Sequence, residues 1–252
     1  MSVVVPAFNA ERTLAAALES IPADPWPPIE VIVVDDASTD ATRAVAEAFG
    51  RRRAGVKLAA LPQNRGPGAA RNTGMRLARG AFVGFLDADD RYGPRFVTEL
   101  LELFLVAPEA AVAASSVRIV DCPLPIHPLQ LHAIAQSLPC NILVRREAAE
   151  LVGGFPEDPA FRGPTGGEDV AFRTALRRHF VERRQATAAY LHRYRAGGHL
   201  ERYLRQTEFR DGKIVFASGD GGEDTAALIA AKRSYEAAAG RRLFAARKLA
   251  RD

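Results

Sequence analysis

The apolar run Ala81-Phe82-Val83-Gly84-Phe85-Leu86 leads directly into Asp87-Ala88-Asp89-Asp90. A short run of this kind, bounded by Gly80 and by an acidic turn, has the pattern of a strand buried on both faces. Such strands belong to parallel sheets whose carboxyl ends face a ligand crevice. Three carboxylates crowded at that edge repel one another unless a cation joins them. The run therefore predicts a metal ion and a polyphosphate beside it.

Three further runs share its character, at residues 2–5, 29–34 and 56–60, and helical segments lie between them. One helix is expected over residues 11–20. A second is announced by the capping residues Ser38-Thr39-Asp40 and runs to about residue 53. A third spans about residues 69–77, after the breaker-rich loop 62–68. A fourth begins near Pro94 and places Phe96, Leu100, Leu101 and Phe104 on one face. Strands alternating with helices predict an α/β fold with a mostly parallel, Rossmann-like sheet. Beyond residue 106 the pattern loosens. Residues 110–120 and 140–144 read as strands and 168–180 as a helix, with tail helices at 200–210 and 226–239. The segment 121–139, with Pro123, Pro125, Pro128 and Pro139, cannot be one regular element.

The 252 residues are 48% hydrophobic, enough for a full core, so disorder throughout is excluded. No uninterrupted apolar stretch reaches the length of a membrane span, about 18 residues. The chain opens in Ser2-Val3-Val4-Val5 without a basic segment and cleavage site, so a cytoplasmic location is expected. Cys122 and Cys140 are read as free thiols, and no metal-ligand cysteine spacing exists. The net charge of +4 comes mostly from arginines spread along the chain and punctuated by acids, not gathered in a basic, aromatic stripe. That excludes an ordinary nucleic-acid binder. The charge suits anionic substrates, with peripheral contact to the inner face of a membrane open to the Arg-rich tail.

Three of the four strands end in residues fit for chemistry: Pro6-Ala7-Phe8-Asn9, Asp35-Asp36-Ala37-Ser38-Thr39-Asp40 and Asp87-Ala88-Asp89-Asp90. Together with Asn64-Arg65-Gly66-Pro67-Gly68-Ala69-Ala70-Arg71-Asn72 and Gly166-Gly167-Glu168-Asp169, in this order, they resemble a family 2 glycosyltransferase of the GT-A fold. The resemblance covers roughly residues 1–195. It implies a nucleotide-sugar-binding half at 1–106 and an acceptor-binding half at 107–195, followed by a helical extension at 196–252.

The resemblance implies a role for each motif. Pro6, Ala7 and Phe8 wall a base pocket, with Asn9 beside it, and Asp36 accepts a hydrogen bond from the base; the alternative for Asp36 is a helix cap. Asn64, Gly68 and Arg71 belong to a nucleotide-contacting element, and Arg71 either reaches the diphosphate or pairs with Asp87 or Asp36. This element is no P-loop, because the Walker Lys-Ser/Thr pair is missing. Asp87, Ala88 and Asp89 match a D-x-D element. Alternation on an extended chain points both acids to one side, with Asp89 binding Mn²⁺ or Mg²⁺ and Asp87 touching the ribose or a metal-bound water. Asp90 is assigned only to the turn and the helix after it.

Asp169 is implied as the catalytic base and Glu168 as an acceptor contact or support; the alternative is that both acids merely stabilise the positive end of their helix. The segment 163–167 before them reads as flexible. His199 follows Tyr194-Arg195 at a displaced position, so His199 or His192 is the candidate to join the metal, or neither is. His127, His132 and His179 show no ligand spacing.

The expected activity is a metal-dependent, inverting transfer of a sugar from a nucleoside diphosphate sugar, with UDP favoured, to a hydroxyl acceptor. That acceptor would be a saccharide or lipid-linked, in surface polysaccharide biosynthesis. A silent nucleotide-sugar-binding module and a sugar-nucleotide nucleotidyltransferase are the competing readings. The tail helices are expected to pack on the core, to dimerise or to touch a membrane.

Overall fold

The computed structural model describes residues 1–23, 28–162, 166–216 and 226–249. Four parallel strands, β1 (Ser2–Ala7), β2 (Glu30–Asp35), β3 (Val56–Ala60) and β4 (Phe82–Phe85), form one half of an eight-stranded sheet. The other half holds β5 (Arg91–Tyr92), β6 (Ala110–Val120), β7 (Ile142–Arg145) and β8 (Val181–Arg193). The order across the sheet is β3-β2-β1-β4-β7-β6-β8-β5. β7 runs antiparallel to both β4 and β6, and β8 runs parallel to β6 through an irregularity between Ser115 and Ser116.

α1 (Leu14–Glu19), α2 (Thr42–Arg52) and α3 (Gly66–Leu77) alternate with the first strands, as the apolar runs predicted. The N-cap of α2 falls at Ala41, one residue past the expected capping residues, and Asp40 Oδ1 from outside the helix accepts the Thr42 amide. α3 starts three residues before the predicted Ala69. The Asp36 carboxylate supplies caps from another element, accepting the Arg65 and Gly66 amides, each at 2.8 Å. α3 lies close on β1, where a Cβ added to Gly74 would come within 2.2 Å of Val4 Cγ1. α4 (Phe96–Val106) buries Phe96, Val97, Leu100 and Phe104, while Leu101 is only partly covered.

Several elements depart from the sequence expectation, and the last helix runs on to Leu249 instead of ending at 239. The proline-rich segment 121–139 contains α5 (Pro128–Ser137), with a proline at its start and with His127 and Gln130 forming a reciprocal cap. The expected helix 200–210 stops early: α8 (His199–Gln206) gives way to β9 (Thr207–Arg210), which forms a hairpin with β10 (Lys213–Phe216). The turn between them needs positive φ at Asp211 and Gly212. β8, 13 residues long, was not expected at all.

α6 (Arg146–Val152) and α7 (Glu168–His179) cover the sheet near the site, and α9 (Ala226–Leu249) lies against both. Tyr235 Oη donates to Gly154 O at 2.6 Å and Arg242 to Val152 O at 2.8 Å. Among the described residues, no helix is long and apolar enough to cross a membrane.

Candidate active site

The first residues after β1, β2 and β4 lie at one edge of the sheet, where parallel strands present ligand sites. Asn9, at φ 48°, ties two of these ends together: its Oδ1 accepts the Thr39 amide at 2.9 Å, and its own amide donates to Ser38 Oγ. Pro6 and Ala7 are buried in β1, whereas Phe8 is exposed and free to face a planar ligand. Asp35 is structural, accepting the Ser38 amide. Asp36 is buried and acts as the cap of α3 described above. Base recognition by Asp36 would have to use its remaining lone pairs.

Beyond Leu86 the chain turns, with the Asp90 amide bonded to Asp87 O, so the expected alternation of an extended chain does not apply. The three acids point to three different partners. Asp87 Oδ1 accepts from Arg71 Nη2 at 2.7 Å, Asp89 Oδ2 lies 2.8 Å from Arg195 Nε, and Asp90 turns inward. Ala88, between the first two, is buried.

Asp90 corrects the sequence reading, which gave it only the turn. Its side chain is 1% exposed, and it caps no helix. Oδ2 accepts the Tyr190 hydroxyl at 2.6 Å and meets His192 Nδ1 at 2.7 Å, while Oδ1 accepts the Arg193 amide at 2.7 Å. The acidic loop is thereby fastened to the end of β8. Burial lowers the His192 basicity, but the Asp90 hydrogen bond and the neighbouring acids outweigh it and leave its pKa raised. A Nδ1–H donated to Asp90 leaves Nε2 as the free ring nitrogen, the arrangement found in carboxylate–histidine–metal triads.

Arg71 sits on the buried face of α3, its guanidinium 5.2 Å from the centre of the Phe155 ring. Phe155 stacks on Phe172 at 4.1 Å, and both meet the edge of Phe85. This aromatic floor leaves the cation to its acids. Arg71 Nη1 lies 3.4 Å from Glu168 Oε1, so one side chain joins the loop after β4 to the start of α7. Burial pushes Asp87 up, but the charge and hydrogen bond of Arg71, with smaller help from Cys140 and His192, together outweigh it and the pKa ends lowered. The fully buried Cys140 thiol adds to that lowering, an influence with no sequence signal.

Glu168 and Asp169 open α7, and burial raises both, Asp169's charge adding to the rise of Glu168. Glu168 faces Arg71, whereas Asp169 Oδ1 accepts the neighbouring Val170 amide. The two acids thus diverge as helical geometry requires. Residues 163–165 of the loop before them lie outside the described residues; Gly166 and Gly167 both hold positive φ. His199, at the start of α8, lies within electrostatic reach of Glu168 and His192, and burial lowers its pKa.

A cavity of about 320 Å³ opens beside Glu168, lined also by Asn64, Gly66, Gly68, Glu157 and Phe161 among others. A larger one, about 400 Å³, lies over β6 and β8 around Val117 and Thr187 but gathers none of the acids. The smaller cavity brings the start of α3 together with Glu168, the ion-pair partner of Arg71, and is the candidate entrance to the site.

The donor set suits a hard divalent cation. Burial and the charges of Asp90 and Asp87 raise Asp89 to about 6, and the exposed Arg195 offsets them only in part, so negative charge is concentrated here. Among the described residues, no three His, Cys, Asp or Glu side chains already form a metal cage. A cation here would therefore complete its shell from phosphate oxygens and water, the usual habit of Mg²⁺ at phosphate sites.

An α/β sheet with acids at its central strand end, a capped helix beside them and a mixed second half defines the class: a GT-A fold, shared with solved structures at TM-scores near 0.65. The chain belongs to glycosyl transferase family 2, whose sequence profile matches residues 2–185. It is 44% identical over 99 residues to the succinoglycan biosynthesis protein ExoO of Rhizobium meliloti, covering 39% of this chain and 28% of that one. It is 40% identical over 92 residues to the poly(ribitol-phosphate) beta-N-acetylglucosaminyltransferase TarS of Staphylococcus aureus, covering 35% and 16%. The aligned stretches therefore span less than a third of either relative. The structure of S. aureus TarS 1-349 with UDP-GlcNAc superposes with a TM-score of 0.64 at 24% identity, over 79% of this chain and 60% of that one. The mannosyltransferase PcManGT of Pyrobaculum calidifontis, with GDP-Man and Mn²⁺, gives 0.64 at 20% identity, over 98% and 74%.

Proposed function

We propose that this chain is a glycosyltransferase that moves a sugar from a nucleoside diphosphate sugar to a hydroxyl acceptor with inversion, in the synthesis of a surface glycan. The supporting observation is the Arg71 bridge, which sets the Asp87 end of the acidic loop against the start of α7, where Asp169 lies. In this reading the bridge keeps the donor side and the base side next to each other. Relatives that carry named glycan activities, and solved neighbours that hold UDP-GlcNAc or GDP-Man, support the donor class.

In this reading Pro6, Ala7, Phe8 and Asn9 flank the base, and Asp36 fixes α3 so that the Asn64–Gly68 loop can approach the diphosphate. Arg71 and Asp87 hold the donor beside it, and Asp89 holds Mn²⁺ or Mg²⁺, with His192 or His199 as a further ligand. When bound, the cation supplies charge neutralisation for the departing diphosphate. Asp169 accepts the acceptor hydroxyl proton as that oxygen bonds to the anomeric carbon and the bond from carbon to the diphosphate oxygen breaks. The diphosphate leaves with the bonding electron pair. Burial raises the affinity of Asp169 for a proton, which suits a general base. UDP is the favoured nucleotide, and a saccharide or lipid-linked hydroxyl the favoured acceptor.

Asp169→Asn tests the assignment. Transfer and donor hydrolysis should fall at least 100-fold, the lower end of general-base contributions (about 10²–10⁴), while donor affinity stays within about twofold. Turnover unchanged in that variant would remove Asp169 as the base. A chain that binds nucleotide sugars but never turns them over would favour the silent binding module.

A further inference from the structure

The three acids of the loop after β4 are not equally free. Asp87 is held by Arg71, which is only 5% exposed, and Asp90 by three bonds in a closed interior. Asp89 has one charged partner among the described residues, Arg195, whose side chain is 68% exposed. The main chain around Arg195 is anchored while its side chain is not. The Tyr194 amide donates to Val120 O, the Gly198 amide closes a turn onto Arg195 O, and Gly197 takes φ 72° within that turn.

We propose that Arg195 is the resident counter-ion of Asp89, a competitor that must leave the carboxylate before a divalent cation can take it. The inference rests on Asp89 being the metal-binding acid in the proposed function. A guanidinium at 2.8 Å and a divalent cation cannot share that carboxylate without strong like-charge repulsion. Metal alone therefore gains only the difference between its own attraction and that of Arg195. A diphosphate arriving with the metal adds negative charge that offsets this penalty, so the cation binds more tightly with the nucleotide than without it. Arg193, two residues earlier, is the internal comparison: it carries the same charge but pairs with Asp121 at 3.0 Å.

The experiment is a titration of the full chain with Mn²⁺, read as free Mn²⁺ by electron paramagnetic resonance, with and without UDP. It compares the parent protein, Arg195→Ala, Arg195→Gln and Arg193→Ala. Both Arg195 variants should bind Mn²⁺ alone about two- to fivefold more tightly than the parent, the weight of an exposed ion pair. Arg193→Ala should match the parent, and the gain in Mn²⁺ affinity on adding UDP should shrink in the Arg195 variants. Unchanged or weaker Mn²⁺ binding by both Arg195 variants overturns the proposal. Equal tightening by Arg193→Ala overturns it too, because net charge alone would then explain the effect. Absence of Mn²⁺ binding by every protein, with or without UDP, overturns the metal reading itself and this inference with it.

Discussion

Arg71 and Asp87 lie 16 residues apart, on α3 and on the loop after β4, and meet as an ion pair of 2.7 Å over a floor of phenylalanine rings. Replacing Arg71 leaves Asp87 and Glu168 facing each other in a poorly solvated recess. Arg71→Ala should destabilise the fold by about 3 kcal/mol, the low end for breaking a buried pair, and weaken donor binding. Arg71→Lys should recover only part of either loss, since a single ammonium cannot reproduce the two-sided guanidinium contact. Denaturant unfolding and nucleotide calorimetry measure the two effects separately.

The hydroxyl of fully buried Tyr190 meets an acid that also fixes His192 and the Arg193 amide. Tyr190→Phe should cost about 2 kcal/mol, as expected for a hydrogen bond to a charged group. Asp90→Asn should cost at least as much. The double variant should lose less than the sum, because each single change already weakens the same network. A double-mutant cycle in urea tests this, and strict additivity would refute the coupling.

Glu30, on the opposite edge of the sheet, accepts from Lys57 at 2.7 Å and from Gly80 N at 3.1 Å, and also from Ser2 and the Arg79 amide. Burial pushes its pKa up, but the bonds from Lys57, Ser2 and Arg79 outweigh that and bring it to about 2. The folded value lies below the unfolded one, so its stabilisation is complete above the ordinary carboxylate range and is lost as pH falls through about 2. Glu30→Gln should accordingly lower the melting temperature at pH 7, and the gap to the parent should close on acidification. A gap that stays constant down to pH 2 would contradict the assignment.

The first half of the fold was legible because its strands are β-branched runs with clear punctuation, and the acidic run after β4 stood out in the sequence as a candidate site. The rest was hidden by physical causes that act at long range. β8 begins Val181-Glu182-Arg183-Arg184-Gln185, with no apolar alternation, and is a strand because β6 pairs along it. α5 hid behind a run of prolines of which Pro128 opens the helix, where its missing N–H costs nothing, and the others lie outside it. The partners of the acids lie far away in sequence: Glu168 is 97 residues from Arg71, and Tyr190 is 100 residues from Asp90. Arg195 showed itself only as half of a Tyr-Arg pair, and its contact with Asp89 needed the folded chain.

The two-residue strand β5 leaves the centre of the sheet with the acidic loop and pairs with β8 at the far edge, Arg91 against Leu191 and Tyr92 against Tyr190. The early part of the chain thus clasps the late part from both sides, through β4 on β7 and β5 on β8. Chimeras spliced between α4 and β6 inherit that clasp as a compatibility requirement. A transplanted second half has to bring a strand that accepts β5 and a tyrosine that reaches Asp90, so recombination is constrained at the sheet's rim as well as at the splice point.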